Sequence, residues 1–100
     1  MYDPANVQKL KQLRSLAPEP MAAFESFNAA VFRDGALSLK VKELIAVAVA
    51  VTTQCPYCID VHVKKAKAAG ATDAELAEAT LVSAALRAGG SVTHATHILG

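Results

Sequence analysis

A chain of 100 residues with ten Lys and Arg against nine Asp and Glu carries a net charge of +1, so no broad field gathers nucleic acid or an anionic membrane. Apolar residues make up 53% of the sequence and aromatics only 5%, so Ala, Val, Leu and Ile must fill the interior. At this length roughly 60 to 70% of the unfolded surface can be buried, enough for one core, and residues 1–100 read as a single domain.

The amino terminus, Met1-Tyr2-Asp3-Pro4-Ala5-Asn6, lacks the basic flank and apolar run of a targeting segment, which predicts a cytoplasmic location. Asp3 before Pro4 reads as an N-cap and first helical residue, and Val7, Leu10, Leu13 and Leu16 form an apolar stripe that stops at Ala17-Pro18. Pro20 opens a second helix, with Met21, Phe24, Phe27, Val31 and Phe32 inward and Gly35 closing it. Ser38 caps a third, whose polar start at Lys40, Lys42 and Glu43 gives way to an apolar run from Leu44 to Val51. That run is apolar on every side, so this helix is expected at the centre. Its β-branched residues would also suit a buried strand, but no partner strand is apparent. It is far short of the ~20 apolar residues that cross a bilayer.

Thr52-Thr53-Gln54 interrupts the pattern, after which Cys55 reads as an N-cap and Pro56 as the first residue of a fourth helix running to Gly70. Thr72 and Glu75 have the spacing of a capping box, opening a fifth helix with Leu76, Ala79, Val82 and Leu86 inward. Gly89-Gly90 is expected to end it, leaving a last short helix from Ser91 to Leu99 that carries His94 and His97. The whole reads as an all-α bundle of about six helices. Its apolar excess, with mean hydropathy +0.30, predicts faces covered by other subunits, hence a homo-oligomer.

Both cysteines of the chain lie in Cys55-Pro56-Tyr57-Cys58, with His62 four residues further on. At a helix start, positions three apart sit one above the other, so a reversible disulfide is easy to form. The unpaired amides of that turn and the positive end of the helix dipole favour thiolate over thiol. His62 lies one turn beyond Cys58 on the same face, where it can accept the Cys58 proton directly or through a water. In other Cys-x-x-Cys helices the first cysteine is commonly the nucleophile, so spacing leaves the order of attack open. Glu43 precedes Cys55 by twelve residues; if the chain reverses between them, helix rise puts Glu43 and His62 roughly level. A carboxylate there can orient the imidazole, giving a relay of Glu43, His62 and Cys58.

Glu43, Cys55-Pro56-Tyr57-Cys58 and His62 at this spacing resemble the core motif of the alkyl hydroperoxidase D-like branch of the carboxymuconolactone decarboxylase family. The likeness extends from about Ser38 to Gly90. It implies an all-helical fold, assembly into trimers or hexamers, and reduction of a hydroperoxide by the cysteine pair. It further implies that Cys58 is oxidised to sulfenic acid, that Cys55 donates a proton and resolves the intermediate, and that Glu43 and His62 relay protons. Such a cycle uses no bound cofactor or metal. Electrons would come from a thiol or protein reductant, of which a peroxiredoxin is one candidate.

Three other readings stand beside it. Cys55, Cys58 and His62, with Glu43, could ligate zinc, although structural zinc prefers four Cys or His ligands. A decarboxylase-like or isomerising enzyme could use only His62 and Glu43. The thiols could also be an inert pair in an oligomeric binding protein. Haem attachment is excluded, since Ile59 and not His follows the second cysteine. His94 and His97 read as surface or cap residues.

Overall fold

The computed structural model describes residues 2–100, and among them all regular structure is helical. A 3₁₀ segment, Pro4–Lys9, leads into α1 (Leu10–Leu16), followed by α2 (Pro18–Val31), α3 (Leu39–Thr53), α4 (Pro56–Ala68) and α5 (Asp73–His94). A 3₁₀ turn, Ala95–His97, follows. No helix among the described residues is long and apolar enough to cross a membrane.

The first 3₁₀ segment, α3, α4 and α5 start behind side chains that substitute for missing amide partners. Asp3 accepts the Ala5 N–H at 3.0 Å, Ser38 the Val41 N–H at 3.2 Å and Cys55 the Cys58 N–H at 3.3 Å. Thr72 and Glu75 form the full capping box. α2 begins at Pro18 rather than Pro20, because a first turn accommodates both prolines without losing a hydrogen bond. It ends at Val31, short of Gly35. There Phe32 leaves the helical region with φ −91° and ψ 57°.

The expected break at Gly89-Gly90 does not occur, and no separate helix spans Ser91 to Leu99. Glycine within a helix costs about 1 kcal/mol relative to Ala, which weakens the helix without ending it. A glycine stops a helix when it takes a left-handed backbone such as that of Gly70, at φ 97°, and neither Gly89 nor Gly90 does so.

α3 is central, as its apolar run predicts, and packs against both α4 and α5. Val47, Ala66 and Ala71 form the buried centre, with Leu44, Val63 and Leu76 packed around it. These small side chains let the three helices approach closely. α1 packs on α2, and contacts between this pair and the other three helices are sparse. Much of the predicted inward surface is therefore open in the single chain. Phe24, Phe27 and Val31 on α2, Val82 and Leu86 on α5, and Leu10, Leu13 and Leu16 on α1 are all exposed. The stripes are where amphipathic spacing puts them, but one chain does not supply the surfaces to cover them.

Candidate functional site

The site begins where α3 reverses into α4. Gln54 takes the left-handed conformation, φ 55° and ψ 45°, and the Cys55 N–H donates to the Ala50 carbonyl at 3.1 Å. This tight reversal sets α4 antiparallel beside α3, with Cys55 as its cap and Pro56 as its first residue. Cys55 and Cys58 lie with Cα atoms 5.3 Å apart and are joined as a disulfide. Cys55 is half-buried and Cys58 exposed.

Along α4, Cys58, His62 and Ala66 fall on one face at helical spacing, running from solvent to the core. On α3, Glu43, Val47 and Ala50 form the buried row, so Glu43 faces the interior from the first turns of its helix. The two rows meet at Glu43 and His62. His62 Nδ1 lies 2.8 Å from Glu43 Oε2, with side-chain exposures of 18% and 1%. A carboxylate can only accept, so the imidazole donates through Nδ1, and in its neutral form Nε2 then carries the lone pair. Burial makes this hydrogen bond stronger than the same contact in water.

The structure thus brings Glu43 to His62 and Cys55 to Cys58. It does not join the two pairs: His62 makes no hydrogen bond to either sulfur among the described residues. Nor does a group of three His, Cys, Asp or Glu side chains converge there in a way that could hold a metal ion. His94 ends α5 and His97 ends the 3₁₀ turn that follows, at the opposite end of α5 from the Thr72 cap. Their rings pack tilted, with centroids 5.4 Å apart and planes inclined by 51°, and His94 donates to the Gly90 carbonyl at 2.8 Å.

Three neighbours of the site were not foreseen as such. The Phe32 ring stacks on His62, with centroids 5.1 Å apart and planes inclined by 27°. The Lys42 ammonium donates to the carbonyls of Val31 and Arg33, at 2.8 and 2.7 Å, and so brackets Phe32. Between the cysteines, the Tyr57 hydroxyl accepts from the Asp3 N–H and from Asn6 Nδ2, both at 3.1 Å, and Tyr2 packs on its ring at 4.9 Å. The amino-terminal segment is thereby tied to the residue flanked by both thiols. These contacts span long sequence separations, and no local pattern announces them.

A disulfide at a helix start, with a buried Glu–His pair one turn inward on a three-helix core, defines a class of small helical protein. The sequence profile of the carboxymuconolactone decarboxylase family matches residues 18–99, and the chain belongs to that family. It is 51% identical over 77 residues to uncharacterized protein 4 in the cox locus of Paracoccus denitrificans, covering 77% of this chain and 69% of the relative. An uncharacterized protein of Cupriavidus necator is 37% identical over 82 residues, covering 82% and 73% of the respective chains. The fold is similar to that of a carboxymuconolactone decarboxylase family protein from Legionella pneumophila, with TM-score 0.77, 39% identity, and 90% and 80% of the two chains covered. A protein from Methanobacterium thermoautotrophicum has TM-score 0.82 and 38% identity, with 88% and 99% covered.

Proposed function

We propose that the protein is a thiol oxidoreductase that reduces hydroperoxides through Cys55 and Cys58. The observation carrying this reading is the pairing of both cysteines at the start of α4, one turn from an imidazole held on Glu43. Cys58, the more exposed of the two residues, is assigned the first attack. His62 Nε2 takes the Cys58 proton through a bridging water, and the thiolate attacks the terminal peroxide oxygen. The O–O bond breaks, the sulfur is oxidised by two electrons to sulfenic acid, and the proton held on His62 goes to the departing alkoxide as alcohol. Cys55 then attacks the Cys58 sulfur; the S–O bond breaks, water leaves and the disulfide forms. An external dithiol returns two electrons and two protons. The Cys58 N–H on the Cys55 sulfur suits Cys55 to this second step, because a hydrogen bond to the charged form favours the thiolate.

The test is consumption of an organic hydroperoxide with dithiothreitol as reductant. Wild type should turn over, and Cys58→Ser should lose turnover altogether. Equal rates in wild type and Cys58→Ser would refute the reading. The Glu43–His62 pair alone could serve a decarboxylase-like proton transfer, and conversion of a lactone acid by Cys55→Ser/Cys58→Ser would establish that alternative instead.

A further inference from the structure

One hydrogen bond does not fix an imidazole. Held only by Nδ1 on Glu43, the ring of His62 can still rock about that contact and change the direction of Nε2. A second contact on the ring face removes this freedom, and Phe32 supplies it, at 5.1 Å and 27°, an offset-stacked geometry favoured by aromatic pairs. Phe32 also lines a 290 Å3 hollow with Glu43, so its ring forms one wall of the space beside the buried carboxylate.

The placement of Phe32 is itself built. It stands just past the end of α2, where a helix leaves its last carbonyls without partners. Lys42 takes the carbonyls on either side of it, those of Val31 and Arg33. The Phe32 N–H closes on Asn28 at 3.1 Å. Lys42 immediately precedes Glu43 on α3, so adjacent residues hold the imidazole by its edge and, through Phe32, by its face.

We infer that Phe32 is a positioning residue: clamped by Lys42, it stacks on His62 and, with Nδ1 on Glu43, fixes the direction of Nε2. The effect on thiol chemistry rests on the reading given under Proposed function; the effect on the imidazole does not. The test uses reduced, 15N-histidine-labelled full-length protein in wild type, Phe32→Leu and Phe32→Tyr. NMR reads the His62 tautomer and its bonded Nδ1–H proton, and mass spectrometry follows alkylation of Cys58 by iodoacetamide. Wild type and Phe32→Tyr should show one Nδ1–H tautomer with a slowly exchanging proton. Phe32→Leu should lose that signal to exchange and alkylate roughly tenfold more slowly, part of the factor a positioned base contributes. If circular dichroism shows Phe32→Leu unfolded, Phe32→Met takes its place. A folded variant that lacks the aromatic ring yet keeps the wild-type imidazole signal overturns the inference, whatever its alkylation rate. Wild-type protein inert to peroxide would instead sink the proposed function, leaving the imidazole signal to judge Phe32.

Discussion

Glu43 sits in the buried row of α3 with Val47 and Ala50, a place where a carboxylate must be matched by a donor, and His62 is that donor. Removing either partner therefore has unequal consequences. His62→Ala leaves the carboxylate buried and unpaired, and since His62 keeps 18% exposure the loss should lie at the low end for a broken buried pair, about 3 kcal/mol. Glu43→Gln retains a neutral hydrogen bond and should cost about 1 kcal/mol. Urea denaturation separates the two, and equal losses would contradict the account of the pair. Peroxide turnover should rank differently, falling about a hundredfold in Glu43→Gln because the imidazole loses its orienting charge. At this scale the sequence was legible where spacing along two helices sufficed, as for Glu43, His62 and the cysteines. Phe32 and Lys42 were not, since their placement depends on where the chain goes between Val31 and Leu39, a stretch without periodicity.

α3, α4 and α5 are started by local caps, which is why their beginnings at Ser38, Cys55-Pro56 and Thr72 are legible in the sequence. Where α5 ends was not readable, because glycine lowers helix stability without dictating the left-handed turn that stops a helix. The Thr72 cap does more than start α5. Glu75 also meets Lys40 of α3 at 2.8 Å, and the Lys40 hydrogen bond, followed by that from the Thr72 backbone, holds its carboxyl below the ordinary glutamate value of 4.5. A lowered folded value means that the contribution is fully present above pH 4.5 and is lost as pH falls through the folded value. Thermal melts across that window should show a smaller acid loss of stability in Glu75→Gln than in wild type; parallel curves would remove the α3–α5 tie from the account. The amino-terminal segment offers a second check on Tyr57. Tyr57→Phe deletes the hydroxyl that accepts from Asp3 and Asn6, so limited proteolysis should cut before α1 several times faster, for a loss of roughly 1 kcal/mol. Unchanged cleavage would show that these bonds do not hold the segment.

The whole chain is larger than a self-sufficient fold of its size. Its radius of gyration is 16.7 Å, against about 13 Å for a compact 100-residue domain. It exposes 7343 Å2, where a monomer of its mass should expose roughly 5,400 Å2. The excess is more than the ~800 Å2 that each partner gives to a standard interface, and it includes Phe27 at 67% and Leu86 at 76% exposure. We propose a homo-oligomer that covers α2 and α5, where stripes read as core from their spacing are bare in one chain. Light scattering should give a multiple of 10.4 kDa, and Phe27→Glu or Leu86→Glu should shift the population toward smaller species. A monodisperse monomer would contradict this. The two thiols can be followed in a single-turnover peroxide titration read by mass spectrometry of the cysteines. Wild type should convert both thiols to the Cys55–Cys58 disulfide with one equivalent of peroxide, and Cys55→Ser should accumulate sulfenic acid on Cys58. Free thiols persisting in wild type, with no sulfenic acid on Cys58 in Cys55→Ser, would contradict the proposed thiol cycle.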